Sequence, residues 1–250
     1  MRTMKAKYKI IEAWLDKNKY SRSGKSIQEL IGAAIHWVGN PNTSAMNNRS
    51  YFNNMNGVYA SAHEIIDLNG DVILCIPENE VAYHVGSKTY TDRCLQELGG
   101  YPNYHLYGIE CCHIDWEGRM TQETYSTLIT RVADLFTEWG FDPFKHLWLH
   151  YDVVGWKDCH RGFVRGIYDW NEFKMEVANA MANVQLAEWQ KNLGMDAIKN
   201  LSDGVGLDLL NNPRDWEDKL GETMPNWLAF TLMSRLATEI EERIKGGDKA

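Results

Sequence analysis

The chain has 250 residues, a formal charge of −8 and a 44% hydrophobic fraction. That length suits one large domain, or one of usual size plus a small partner, and the apolar content excludes a wholly disordered chain. The acidic balance argues against broad nucleic-acid binding, which needs a basic face, and no apolar run is long enough to span a bilayer.

The basic start, Met1 to Ile11, lacks the apolar core and small-residue cleavage site of a signal peptide, so a chain made in the cytoplasm is expected. Tyr8 to Leu15 has apolar residues at helical spacing and predicts a short helix. Ser21 to Gly24 reads as a loop. Ile31 to Trp37 reads as a buried strand, broken by Gly39-Asn-Pro-Asn-Thr-Ser44, and Asn47 to Asn56 as helical. Asn69-Gly70, between the apolar stretches Val58–Leu68 and Asp71–Ile76, predicts a hairpin, because both residues tolerate a positive φ. Tyr107 to Ile114 predicts another strand. Thr121 is a natural N-cap for a helix with Tyr125, Leu128, Val132, Leu135, Phe136 and Trp139 on one face, stopped by Gly140. Phe144 to His150 reads as a strand and Trp170 to Met181 as a helix.

These elements imply an α/β fold, a central mixed β-sheet flanked by helices, over residues 1–182. From 183 to 250 the texture changes. Trp189, Leu193, Ile198 and Leu201 suggest one helix, and Met224, Leu228, Leu232, Leu236, Ile240 and Ile244 step by four along another. A small all-α C-terminal module is expected. Its Trp189, Trp216 and Trp227 suit either sugar stacking or core packing.

The most informative stretch is His150-Tyr-Asp-Val-Val-Gly-Trp-Lys157-Asp-Cys159. A strand ending in His150 and looping back to Cys159 can bring an imidazole and a thiol to one metal ion. A tight zinc site needs a third protein ligand, and His36 closes another apolar run. If the three converge, one coordination position stays open, as in catalytic zinc sites. Each residue also has an ordinary structural reading, and spacing alone does not choose. The five cysteines, Cys75, Cys94, Cys111, Cys112 and Cys159, are too sparse and odd in number for a disulfide framework, so reduced thiols are expected.

Four blocks in order carry a resemblance: Ala33-Ala-Ile-His36-Trp-Val-Gly-Asn-Pro41, Ala62-His63-Glu-Ile-Ile-Asp67, Tyr107-Gly-Ile-Glu110-Cys, and the His150–Cys159 segment. Over about the first 180 residues the chain resembles the zinc-dependent type 2 N-acetylmuramoyl-L-alanine amidases, related to peptidoglycan recognition proteins and common among bacteriophage endolysins. Ser21 to Lys25 and Asn48 to Asn54 resemble the branch from phages of Gram-positive hosts. The resemblance implies Zn²⁺ bound by His36, His150 and Cys159, Glu110 as general base, and Lys157 as the stabiliser of the oxyanion. It places His63, His84 and Asp152 as substrate contacts or residues supporting the ligands. For His84 core packing is the structural alternative, and for Asp152 loop capping, which is slightly favoured.

The family's loop usually runs Gly-Lys-x-Cys-Pro. Here Trp156 is inserted before Lys157, and His160 stands for the Pro, which makes His160 a rival ligand. A tyrosine that some members carry before the second-block histidine is Ala62 here, which leaves proton transfer to Glu110. The implied partner is peptidoglycan, with no nucleic acid and no stable membrane insertion, and the C-terminal helices could bind cell wall or pair chains into a homo-oligomer. The implied location is the host bacterial cytoplasm until lysis, then the wall. Two alternatives remain: a non-catalytic peptidoglycan recognition module, and a structural zinc domain closed by His160 or His63.

Overall fold

The computed structural model describes residues 8–185. Two compact units are distinguished, Met4–Ala178 and Met1–Thr3 with Asn179–Ala250. The expected helices between 189 and 244 lie outside the described residues.

Six strands form one mixed sheet: β1 Ile10–Glu12, β2 Gly32–Trp37, β3 Glu64–Ile66, β4 Val72–Leu74, β5 Leu106–Cys111 and β6 Leu147–Leu149, in the order β1-β4-β3-β5-β2-β6. Only β3 and β4 pair antiparallel, joined by the expected turn, in which Gly70 has φ +83°. The other neighbours are parallel. Such strands must be covered on both faces, and Ala33, Ala34 and Ile35 of β2 and Ile109 of β5 are completely buried. Ile65, Ile73, Ile76 and Leu15 contribute to one apolar cluster, and Ala34, Leu106, Trp148 and Val153 to another.

Helices α1 (Ala45–Asn53), α2 (Asp92–Glu97), α3 (Gln122–Trp139), α4 (Pro143–His146), α5 (His150–Val154), α6 (Arg161–Val164) and α7 (Trp170–Gln185) complete the described part. The ends of α3 match expectation. The Thr121 hydroxyl accepts from Thr124 N–H, and Gly140 closes the helix in the left-handed region at φ +71°. No described helix is long and apolar enough to cross a membrane.

Two expected elements differ. Tyr8 to Leu15 is no helix: β1 pairs in parallel with β4, and Ala13 and Leu15 N–H groups continue onto Leu74 and Cys75 carbonyls. Arg49, in the α1 block, clamps this segment by donating to the Ala13 and Trp14 carbonyls. Tertiary pairing at a sheet edge outweighs a weak local helical pattern. The expected strand from Phe144 begins only at Leu147, because Asp142 caps the short α4, with Pro143 at its first position.

Candidate metal centre

Parallel register builds the centre. His36 at the end of β2 stands opposite Glu110 near the end of β5, so both leave the same face of the sheet. β6, paired to the other side of β2, ends at Leu149, and His150 begins α5. Thus three parallel strands deliver their functional side chains at their carboxyl ends, where open α/β sheets place ligand sites. Cys159 returns beside them through a backbone bond from Tyr151 N–H to the Cys159 carbonyl, 2.8 Å.

The ligand atoms of His36, His150 and Cys159, all buried, lie within 4.8 Å of one another. His36 Nδ1 is 3.1 Å from His150 Nδ1 and 3.6 Å from Cys159 Sγ. A tetrahedral ion with nitrogen at about 2.0–2.1 Å and sulfur at about 2.3 Å spaces such ligands roughly 3.4–3.6 Å apart. The donor set and its spacing therefore fit zinc.

The protonation pattern fits as well. The Leu106 carbonyl can only accept, so His84 Nε2, 2.9 Å away, carries a hydrogen. Burial lowers the His84 pKa to about 4, so the ring is neutral and its Nδ1 must accept. That atom lies 2.9 Å from His36 Nε2, which therefore donates. Burial first, then the neighbouring histidines His150 and His84, holds His36 well below its usual pKa, so His36 Nδ1 is left as a bare lone pair facing His150 and Cys159. Burial and Lys157 lower His150 to about 2. Both imidazoles are in the neutral form that metals bind. Burial pushes the Cys159 thiol up to about 12, which makes a neighbouring cation the natural condition for a thiolate.

His84 thus holds the His36 ring by a hydrogen bond rather than filling core alone. Its place depends on Gly108, whose added Cβ would sit 2.6 Å from the His84 ring. No sequence pattern singled out Gly108.

The centre opens on a cleft of about 190 Å³ bordered by Glu110, Lys157, His150, Phe52, Tyr59 and Asn103. Burial raises the Glu110 carboxyl to about 8, opposed by Lys157, and its Oε2 has no hydrogen-bond partner. The Trp156 insertion is absorbed where α5 ends at Gly155 (φ +78°). Trp156 is 64% exposed beside Ser87, and Lys157 still borders the cleft.

Three further residues have partners of their own. His63 is buried with both nitrogens bonded to backbone, Nδ1 accepting from Gly108 N–H at 2.8 Å and Nε2 donating to the Glu80 carbonyl at 2.9 Å, which leaves no ring nitrogen free for a metal. Asp152 accepts from Leu149 N–H at 2.8 Å and caps α5, the slightly favoured of its two expected roles. His160 caps α6 through Nδ1 and stands outside the ligand group. All five cysteines are free and buried.

A sequence profile described as N-acetylmuramoyl-L-alanine amidase (Amidase_2) matches residues 28–162, which hold every member of this centre. The chain belongs to that amidase family. The N-acetylmuramoyl-L-alanine amidase BlyA of Bacillus subtilis (strain 168) is 29% identical over 226 residues, covering 83% of this chain and 59% of the relative. A probable N-acetylmuramoyl-L-alanine amidase of Bacillus licheniformis is 32% identical over 173 residues, covering 68% of this chain and 47% of the relative. The chain thus spans about half the length of the curated relatives it matches. Among solved structures, PlyL shares the fold at TM-score 0.54 and 20% identity, covering 68% of this chain and 96% of its own. The catalytic domain of XlyA does so at 0.52 and 20%, covering 67% and 98%.

Proposed function

We propose that this amidase-family chain hydrolyses the amide bond between N-acetylmuramic acid and L-alanine in peptidoglycan, with Zn²⁺ held by His36, His150 and Cys159. The observation that carries the reading is the three-ligand cluster, open on a cleft whose wall bears an unpartnered buried carboxyl. Among the described residues no fourth donor closes the cluster, which speaks against a purely structural metal site. The presence of Cys159 speaks against a non-catalytic recognition module.

Zn²⁺ would acidify a water molecule and polarise the scissile carbonyl. Glu110 takes a proton from the attacking water and returns it to the leaving amine of L-alanine. Lys157 faces the developing oxyanion. His84 holds His36 in the tautomer that leaves Nδ1 free.

In the same reading, residues 1–182 are the catalytic domain and 183–250 a helical module that binds wall or pairs chains. The protein is a phage or prophage lysin that waits in the host cytoplasm and acts on the wall at lysis. It engages no nucleic acid and does not insert into the membrane.

The test is digestion of purified peptidoglycan with analysis of the new amino termini. An L-alanine terminus is expected, lost on chelation and restored by Zn²⁺. Undiminished release in chelator would remove the metal from the mechanism. Glu110→Gln keeps the metal and loses about 10²–10⁴-fold in turnover; near-wild-type turnover would take Glu110 out of proton transfer.

A further inference from the structure

Beyond the Glu110 cleft lies a second pocket of about 480 Å³, and the two share Tyr83 and Asn103. Its remaining walls include Lys25, Gln28, Tyr101 and Tyr104. The walls are fixed by backbone pairing. Val81 N–H donates to the Lys25 carbonyl at 2.7 Å and Gln28 N–H to the Tyr104 carbonyl at 3.1 Å. Lys25 is the single charged residue of this lining and makes no ion pair among the described residues. The nearby Glu80 does not compete for it, because Arg22 already holds that carboxylate at 2.8 Å.

Asn103 at the shared wall has a fixed orientation. Its Oδ1 accepts from His84 and Val85 N–H, at 3.1 and 2.9 Å, so its amide NH₂ is the end left for a ligand carbonyl. The other border of the cleft differs. Phe52 and Tyr59 adjoin a surface pocket whose uncharged lining combines Asn47, Ser50 and Asn54 with Tyr51, Met55 and Val58.

We infer that the substrate lies across the site with one polarity. The acidic stem peptide enters the Lys25–Tyr101–Tyr104 pocket, Lys25 pairing with a peptide carboxylate and Asn103 donating to a peptide carbonyl, while the uncharged sugar lies toward α1. A cation set among tyrosines matches a short peptide with apolar side chains and a carboxylate. The uncharged α1 surface, with amide groups beside the apolar faces of Tyr51, Met55 and Val58, matches a neutral glycan, whose rings have apolar faces and hydroxyl edges. The assignment rests on the amidase reading and adds the direction of the chain and a preference for a charged peptide.

The test uses the full-length zinc-loaded protein and two soluble substrates: N-acetylmuramoyl-L-alanyl-D-isoglutamate peptides with free carboxylates, and the same compounds fully amidated. Wild type is expected to favour the acid form about fivefold in kcat/KM, carried by KM, the scale of one partly screened ion pair. Lys25→Glu should reverse that preference and Lys25→Ala should erase it, whereas Lys145→Ala, an exposed lysine outside either pocket, should keep it. Tyr101→Ala should raise KM for both peptides. Equal rates on acid and amide by wild type, or a preference that survives Lys25→Glu, would overturn the inference with the amidase reading intact. Hydrolysis of neither compound would instead strike the amidase reading itself.

Discussion

Gly108 is where a missing side chain does the most for the centre. It lies two residues before Glu110 on β5, and the vacant face admits the His84 ring that orients His36. Gly108→Ala puts a methyl 2.6 Å from that ring and must displace it. Zinc affinity is expected to fall about 10–100-fold, the usual cost of losing a partner behind a ligand histidine, as measured by competition with a chromophoric chelator. His63 predicts a pH effect on stability. Burial lowers its pKa from 6.5 to about 3, so the unfolded chain protonates first on acidification. The stability it contributes is complete above pH 6.5 and declines toward pH 3, at about 1.4 kcal/mol per pH unit within that window. Urea unfolding of metal-free wild type and His63→Gln at pH 6 and pH 5 should show the smaller pH dependence in the variant. At this scale the convergence of His36, His150 and Cys159 could be read from the sequence because they close apolar runs or share one loop. His84 could be read as a candidate, but its link to His36 was not legible, and Asn103 was missed, since both depend on backbone partners from distant segments.

Among the elements, α3 is tied to β3 by a buried charge. Glu64 is fully buried, held by Arg131 at 2.8 Å and by the Tyr107 hydroxyl at 2.9 Å. Removing one member of such a pair leaves an uncompensated charge. Arg131→Ala is therefore expected to cost about 3–5 kcal/mol in equilibrium unfolding. A loss below 1 kcal/mol would mean that water reaches Glu64. The Asn69-Gly70 hairpin and α3 were legible because turn chemistry and a long 3.6-residue period are local signals. The N-terminal edge strand was not, because its hydrogen bonds come from β4, some sixty residues away by the Ile10–Val72 register. The short α2, α5 and α6, each under two turns, present too little periodicity to read.

For the whole molecule, the family match, the six-stranded sheet and the centre all fall before residue 178, within one compact unit. A fragment ending at residue 185 is accordingly expected to unfold in one cooperative transition and to bind one zinc ion per chain, measured by calorimetry and elemental analysis. A fragment that stays unfolded would make residues 186–250 part of the catalytic fold. The relay from the Leu106 carbonyl through His84 to His36 bears on assembly in time. Hydrogen bonds from protein groups hold it, so under the zinc reading loading an ion would cost little conformational entropy. Under the proposed zinc reading, this protein is expected to fold first and acquire the ion afterwards, unlike a small zinc finger, whose chain folds only on its metal.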